Sequence, residues 1–191
     1  SDKLVNFVQA MLGHVPGALA HTAVGSCAVF GAISGSTAAT VAAIGGAIYP
    51  KLLKAGYKDT FSLGLIVNAS NLAALIPPSI LMILYGVQVK CSIGEMFIAG
   101  IVPGIMITIM FMAYCYYWAV KNKVPLEPKA GWKVRWEAFK DAKWALGLPV
   151  IIIGGMFGGI FSPSETAAVA ALYSIIVEFV IYRSLKLRDL Y

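Results

Sequence analysis

The chain has 191 residues, of which 59% are hydrophobic and 13% charged, with a mean hydropathy of +0.80. A soluble globular domain carries about 25% charged residues, so this composition excludes an ordinary soluble domain and indicates an integral membrane protein. The formal net charge of +6 does not indicate nucleic-acid binding, because the basic residues fall in short clusters between apolar segments, where membrane orientation signals sit.

Residues 1–14 place Leu4, Val5, Val8, Met11 and Leu12 at helical spacing opposite Asp2, Asn6 and Gln9. This predicts a short amphipathic helix lying at the membrane interface rather than the apolar h-region of a signal peptide.

Val15 to Tyr49 contains no Asp, Glu, Lys or Arg and is interrupted near its middle by Ile33-Ser-Gly-Ser36. One spanning helix needs roughly 20 residues; this run is longer than one span and shorter than two. Residues 15–60 therefore read as a re-entrant helical hairpin with its tip at Ser34–Ser36, followed by a cytoplasmic turn carrying Lys51, Lys54 and Lys58.

Residues 61–95 form a second apolar stretch broken by Pro77-Pro78. Neither proline donates a backbone hydrogen bond, and the pair restricts the residue before it, so no straight helix runs through. Asn68, Ser70 and Asn71 precede the break and Ser79 follows it. Asparagines in a spanning segment are costly unless they face protein or water.

Residues 96–120 are the cleanest span, ending in Tyr114, Tyr116, Tyr117 and Trp118 as an interfacial belt. Residues 121–144 mix basic residues with Trp132, Trp136, Phe139 and Trp144, which predicts a cytoplasmic amphipathic connector. Residues 145–191 supply two further transmembrane helices, separated by a helix start at Ser164-Glu-Thr166, and a basic end. With both ends and both lysine-rich connections cytoplasmic, every basic residue except Lys90 lies inside. That sorting also requires residues 15–49 to enter and leave on one side.

Two helix breaks decorated with hydroxyls and amides, inside the uncharged stretches Val15 to Tyr49 and Phe61 to Gly86, form the pattern of a transport site built from discontinuous helices. A hard cation such as sodium is held by oxygen ligands, and Ser34, Ser36, Thr37 and Thr40 can supply them together with carbonyls near Gly35 and Ala74–Ile76. Anionic substrate would meet helix N-termini and hydroxyls. Cys27, Cys91 and Cys115 show no metal-ligand spacing. His21 reads as a hydrogen-bonded packing residue, Glu165 as a helix cap, and Gly25, Gly31, Gly45 and Gly46 as close-packing positions. Ala32-Ile-Ser-Gly35 is similar to the G-x-S-G serine of rhomboid proteases. It lacks the first glycine, however, and no histidine lies in any later segment to act as base. A membrane scaffold without a site of its own is the alternative to a transporter.

Several motifs in order carry a family resemblance: Gly31-Ala-Ile-Ser-Gly-Ser36, Pro50-Lys-Leu-Leu-Lys-Ala-Gly-Tyr57, Leu75-Ile-Pro-Pro-Ser-Ile80, Ile83-Leu-Tyr-Gly86, Ser92-Ile-Gly-Glu-Met-Phe-Ile-Ala-Gly-Ile-Val-Pro-Gly104 and Gly159-Ile-Phe-Ser-Pro-Ser-Glu-Thr166. Across essentially its whole length the chain resembles the large membrane subunit of tripartite ATP-independent periplasmic (TRAP) transporters, the DctM family. The resemblance implies an all-α integral membrane fold with discontinuous helices and a re-entrant hairpin, part of an elevator-type secondary transporter of the bacterial inner membrane. It implies sodium as coupling ion and an organic-anion substrate, such as a C4-dicarboxylate or sialic acid. It further implies two partners, a small DctQ-like membrane subunit and a periplasmic substrate-binding protein. Carried onto this sequence, sodium is expected at Ser34, Gly35, Ser36, Thr37 and the carbonyls near Pro77, and substrate at Thr40, Asn71 and Ser79. Family members are about twice as long, with a second hairpin and a second Pro-Pro break, so the chain is expected to be an internal piece holding about half of the transport site.

Overall fold

A computed structural model describes residues 2–124, 131–158 and 160–182. The basic end from 183, positions 125–130 of the connector and Gly159 of the last motif lie outside the described residues. Among the described residues the secondary structure is helical throughout. The chain divides into two units, one ending at Lys143 and one beginning at Trp144.

The first unit is organised around α2 (Ala18–Ser34). Every residue from Ala18 to Cys27 is buried, as expected for a helix that is apolar on all sides. Two of its polar side chains bond back one turn: Thr22 Oγ1 donates to the Ala18 carbonyl at 2.8 Å, and His21 Nδ1 lies 3.0 Å from the Gly17 carbonyl. Such local bonds satisfy polar side chains in an apolar interior. Cys27 Sγ instead meets Ser70 Oγ at 3.6 Å, and Ser26 Oγ is buried without a partner among the described residues.

α1 (Asp2–Leu12) lays Leu4, Val5 and Val8 against α2, leaving Met11 exposed. The approach is close because Gly25 has no side chain; a Cβ there would come within 2.8 Å of Val8 Cγ1.

After α2 the chain breaks at Gly35–Ser36 and resumes as α3 (Thr37–Thr40), a π-helical segment (Val41–Gly45) and α4 (Gly46–Lys54). All three pack against α2. Lys51 Nζ donates to Asn6 Oδ1 at 3.4 Å, so the end of α4 returns to α1 and the two arms form a helical hairpin with its tip at 34–36. Ile44, Ile48 and Leu52 of the returning arm are fully buried beside Ala20, Ala23, Val24 and Cys27.

α5 (Asp59–Ser70) packs on α2 and continues as a 3-10 turn (Asn71–Ala74) before the Pro77-Pro78 break, where the peptide bond is cis. α6 (Ile80–Val89) and α7 (Ile93–Lys121) come next. α7 is long and apolar enough to cross a membrane. At 1.5 Å per residue its 29 residues extend about 44 Å, beyond the roughly 30 Å hydrocarbon core. It lies along α2: near Gly104 it packs against Leu75 and Ile76, and at Cys115 and Ala119 it reaches Gly17.

Sequence patterning separates an amphipathic connector from a span at residue 145. The structure instead has one continuous helix, α8 (Trp132–Phe157), with Pro149 inside it. Its first turns belong to the first unit, where Arg135 Nε donates to the Ala10 carbonyl at 3.1 Å and Phe139 meets Phe7 at 5.9 Å. In the second unit α9 (Pro163–Ile176) is capped by Ser162, and Tyr173 donates its hydroxyl proton to the Trp144 carbonyl at 2.9 Å.

Candidate functional site

The two chain breaks meet. Gly35 ends α2 with φ 60°, a left-handed conformation that a side chain disfavours. Its N–H closes the helix on the Gly31 carbonyl at 2.8 Å, and its own carbonyl accepts the N–H of Ile80, the first residue of α6, at 3.1 Å. A Cβ at Gly35 would come within 2.6 Å of the Pro78 carbonyl oxygen. Only glycine satisfies both the backbone angle and the contact.

Around this crossing the hydroxyls cluster. Ser34 Oγ lies 3.1 Å from Thr40 Oγ1 and 3.3 Å from the Ser36 carbonyl, and Thr40 Oγ1 donates to that same carbonyl at 2.8 Å. Three neutral oxygens from both sides of the break thus stand within hydrogen-bonding distance of one another. Ser36 Oγ accepts from the Ala39 N–H at 3.4 Å, and Ser79 Oγ accepts from the Met82 N–H at the same distance; each serine caps the helical run on its C-terminal side. Thr40 and Ser79 are fully buried, Pro77 is buried, and Ser34, Ser36 and Thr37 are half-buried.

The crossing therefore brings together one helix end and two helix starts. The carbonyls of Ala32, Ile33 and Ser34 have no partner within α2 because the helix stops there. Partial negative charge from α2 and partial positive charge from the starts of the Thr37–Lys54 run and α6 converge on one point.

Not all the expected residues join this cluster. Asn71 opens the 3-10 turn with an exposed side chain. Its turn packs against α3, but the hydrogen bonds of the cluster run among Ser34, Ser36 and Thr40 without the Asn71 amide. Asn68 is farther off: its Nδ2 donates to the Gly64 carbonyl at 2.7 Å, and it lines a cleft of about 220 Å³ with Phe61, Phe111 and Tyr114.

A supporting layer of small residues holds the breaks in place. Gly31 lies against Ala73, where an added Cβ would come within 2.8 Å of the Ala73 Cα. On the other side Gly100 and Gly104 of α7 face Leu75 and Ile76; a Cβ on Gly100 would sit 2.6 Å from the Leu75 carbonyl oxygen. Sequence reasoning passes over Gly100. The signal was present as a small-xxx-small pair, Gly100 and Gly104, on one face of the longest apolar helix.

The family model of the tripartite ATP-independent periplasmic transporter DctM component matches residues 1–191. The chain belongs to this family. Among curated relatives, the chain is 56% identical over 191 residues to the ectoine TRAP transporter large permease protein TeaC of Halomonas elongata, covering all of this chain and 45% of the relative. It is 54% identical over the same span to the ectoine/5-hydroxyectoine permease UehC of Ruegeria pomeroyi, again 45% of the relative. It is 44% identical over 185 residues to the C4-dicarboxylate permease DctM of Vibrio cholerae, 97% of this chain and 41% of the relative. The chain thus spans less than half the length of these relatives. Membership in this family makes it a membrane protein.

Proposed function

We propose that this chain supplies the first hairpin and the first broken helix of the moving domain in a sodium-coupled TRAP permease. The permease imports a small carboxylate-bearing solute across the bacterial inner membrane. The solute is delivered by a periplasmic binding protein, and a small membrane subunit braces the large one. The observation that carries this reading is the Gly35–Ile80 bond, which joins two breaks inside uncharged segments.

In this reading Ser34 Oγ, Thr40 Oγ1 and the Ser36 carbonyl, with the freed carbonyls at the end of α2 and near Pro77, hold the sodium ion. Neutral oxygens suit a hard monovalent cation that must also leave. Gly35 keeps the loop narrow, and Thr37 opens the returning helix beside the ion. The starts of α3 and α6, with the capping Ser79, face the substrate carboxylate. Asn71 contacts the polar remainder of the substrate from the adjacent turn. Sodium bound at the crossing reduces the electrostatic cost of a substrate carboxylate nearby, which is the physical basis for coupling.

On substrate, identity is higher to the two relatives named for ectoine, at 56% and 54%, than to the Vibrio cholerae dicarboxylate permease at 44%. Ectoine carries a carboxylate and a delocalised cation. We therefore place a zwitterionic carboxylate of this kind ahead of the C4-dicarboxylates and sialic acid that the resemblance suggests.

The test is uptake into proteoliposomes holding the full-length permease with its small subunit and loaded binding protein. Labelled ectoine and labelled succinate are compared with and without an inward sodium gradient. Sodium-dependent ectoine uptake is the expected result. Succinate uptake alone would reassign the substrate, gradient-independent uptake would remove the sodium assignment, and no uptake of either would favour the scaffold.

A further inference from the structure

Away from the crossing, the turn after α4 meets the end of α7 and bounds a cleft of about 220 Å³ whose walls include Gly56, Tyr57, Lys58, Trp118, Asn122 and Lys123. Its depth relative to a bilayer is indicated by its aromatic wall. Trp118 stacks on Phe61 at 4.0 Å and on Tyr57 at 5.2 Å, and Tyr114, Tyr116 and Tyr117 lie on the same end of α7. Aromatic belts of this kind sit at headgroup level.

The polar groups of the cleft leave an excess of positive charge. The helix-end carbonyls are already bonded: the Trp118 carbonyl accepts the Asn122 N–H at 3.0 Å and its Nδ2 at 2.8 Å, and the Ala119 carbonyl accepts the Val124 N–H at 3.0 Å. Lys58 and Lys123 are exposed, and among the described residues neither ammonium has a carboxylate partner. The carboxylate next in sequence, Asp59, is engaged by the Tyr49 hydroxyl, which donates to Oδ1 at 2.6 Å. Lys123 moreover occupies a left-handed backbone, φ 51°, that glycine would adopt with less strain.

We propose that this cleft binds the headgroup phosphate of an anionic phospholipid. Two ammonium groups at headgroup depth with no carboxylate partner among the described residues, above an aromatic floor that meets the acyl chains, match a phosphodiester that carries its own apolar tail. The cleft is too small for a bulky solute and suits a phosphoglycerol group. The inference rests on the membrane reading of the chain but not on the sodium or substrate assignments.

The test uses the full-length permease in nanodiscs of mixed phosphatidylglycerol and phosphatidylcholine, with retained lipid counted by native mass spectrometry. The wild type is expected to retain phosphatidylglycerol preferentially. Lys58→Gln and Lys123→Gly should each lower that preference about five-fold. Lys123→Gly also relieves the left-handed lysine, so its melting temperature should hold or rise, which separates lost binding from lost folding. Lys133→Gln, on the exposed start of α8, is the control and should retain the wild-type preference. Absence of any preference, or an equal loss in the Lys133 variant, would overturn the proposal. Displacement of the lipid by soluble glycerol 3-phosphate would assign the cleft to a free phosphate compound instead. Lipid retention is read without transport, so a failed uptake assay and a failed lipid site remain distinguishable.

Discussion

The N–H of Ile80 donates to the carbonyl of Gly35 at 3.1 Å, so the first residue of one helix after a break is hydrogen-bonded to the last turn of another helix before its break. Neither group has a partner in its own helix. Each break is thereby part of the other's solution, and disturbing one is expected to disturb both.

Gly35→Ala tests this directly. The left-handed backbone alone costs an alanine roughly 1–2 kcal/mol, and the new Cβ would stand 2.6 Å from the Pro78 carbonyl oxygen, forcing the α6 start to move. The expected outcome is a lower melting temperature and uptake reduced at least about ten-fold, the factor that about 1.4 kcal/mol represents. Unchanged uptake and stability would show that the crossing tolerates displacement.

Gly31→Ala should behave differently, because its obstacle is a neighbour rather than its own φ. Its Cβ would meet Ala73 Cα at 2.8 Å and Ala73 Cβ at 3.0 Å. Overpacking of this kind costs about 1–3 kcal/mol. The double variant Gly31→Ala/Ala73→Gly removes the second clash only, so thermal unfolding should show partial, not full, recovery.

Among the hydroxyls, Thr40→Val keeps the shape and deletes the bond to the Ser36 carbonyl and the contact with Ser34. The half-concentration of sodium for uptake should rise while expression holds. Ser36→Ala removes a helix cap as well, worth about 1 kcal/mol, and Ser36→Asn should restore the cap. If sodium dependence returns with the cap in Ser36→Asn, the residue acts by positioning the loop rather than by ligating the ion.

Glu165 supplies a pH prediction in the second unit. The Ser162 N–H donates to its Oε2 at 2.8 Å and the Ser162 hydroxyl donates at 2.7 Å. These bonds, the backbone one first, hold its carboxyl below the usual carboxylate range. A lowered folded-state value contributes stability above the unfolded value and loses it as pH falls through the folded one. Thermal melts of wild type and Glu165→Gln should differ at neutral pH and converge in acid; a constant gap across pH would assign the effect to helix propensity.

Sequence alone determined the local behaviour of each segment. The absence of charge from Val15 to Tyr49 puts the segment out of water, Gly35 and the adjacent prolines 77 and 78 stop helices by local stereochemistry, and Ser36 and Ser79 can cap the helices that begin beside them. Those effects act within a few residues, so they are legible along the chain. Which break faces which is not a local property. The tertiary structure decided that Ile80 reaches Gly35, that Gly100 and Gly104 back Leu75 and Ile76, and that Asn71 lies exposed beside the cluster. Helix packing decided it: positions without side chains set how closely α2, α7 and the 3-10 turn approach, and that approach fixes where the freed backbone groups find partners.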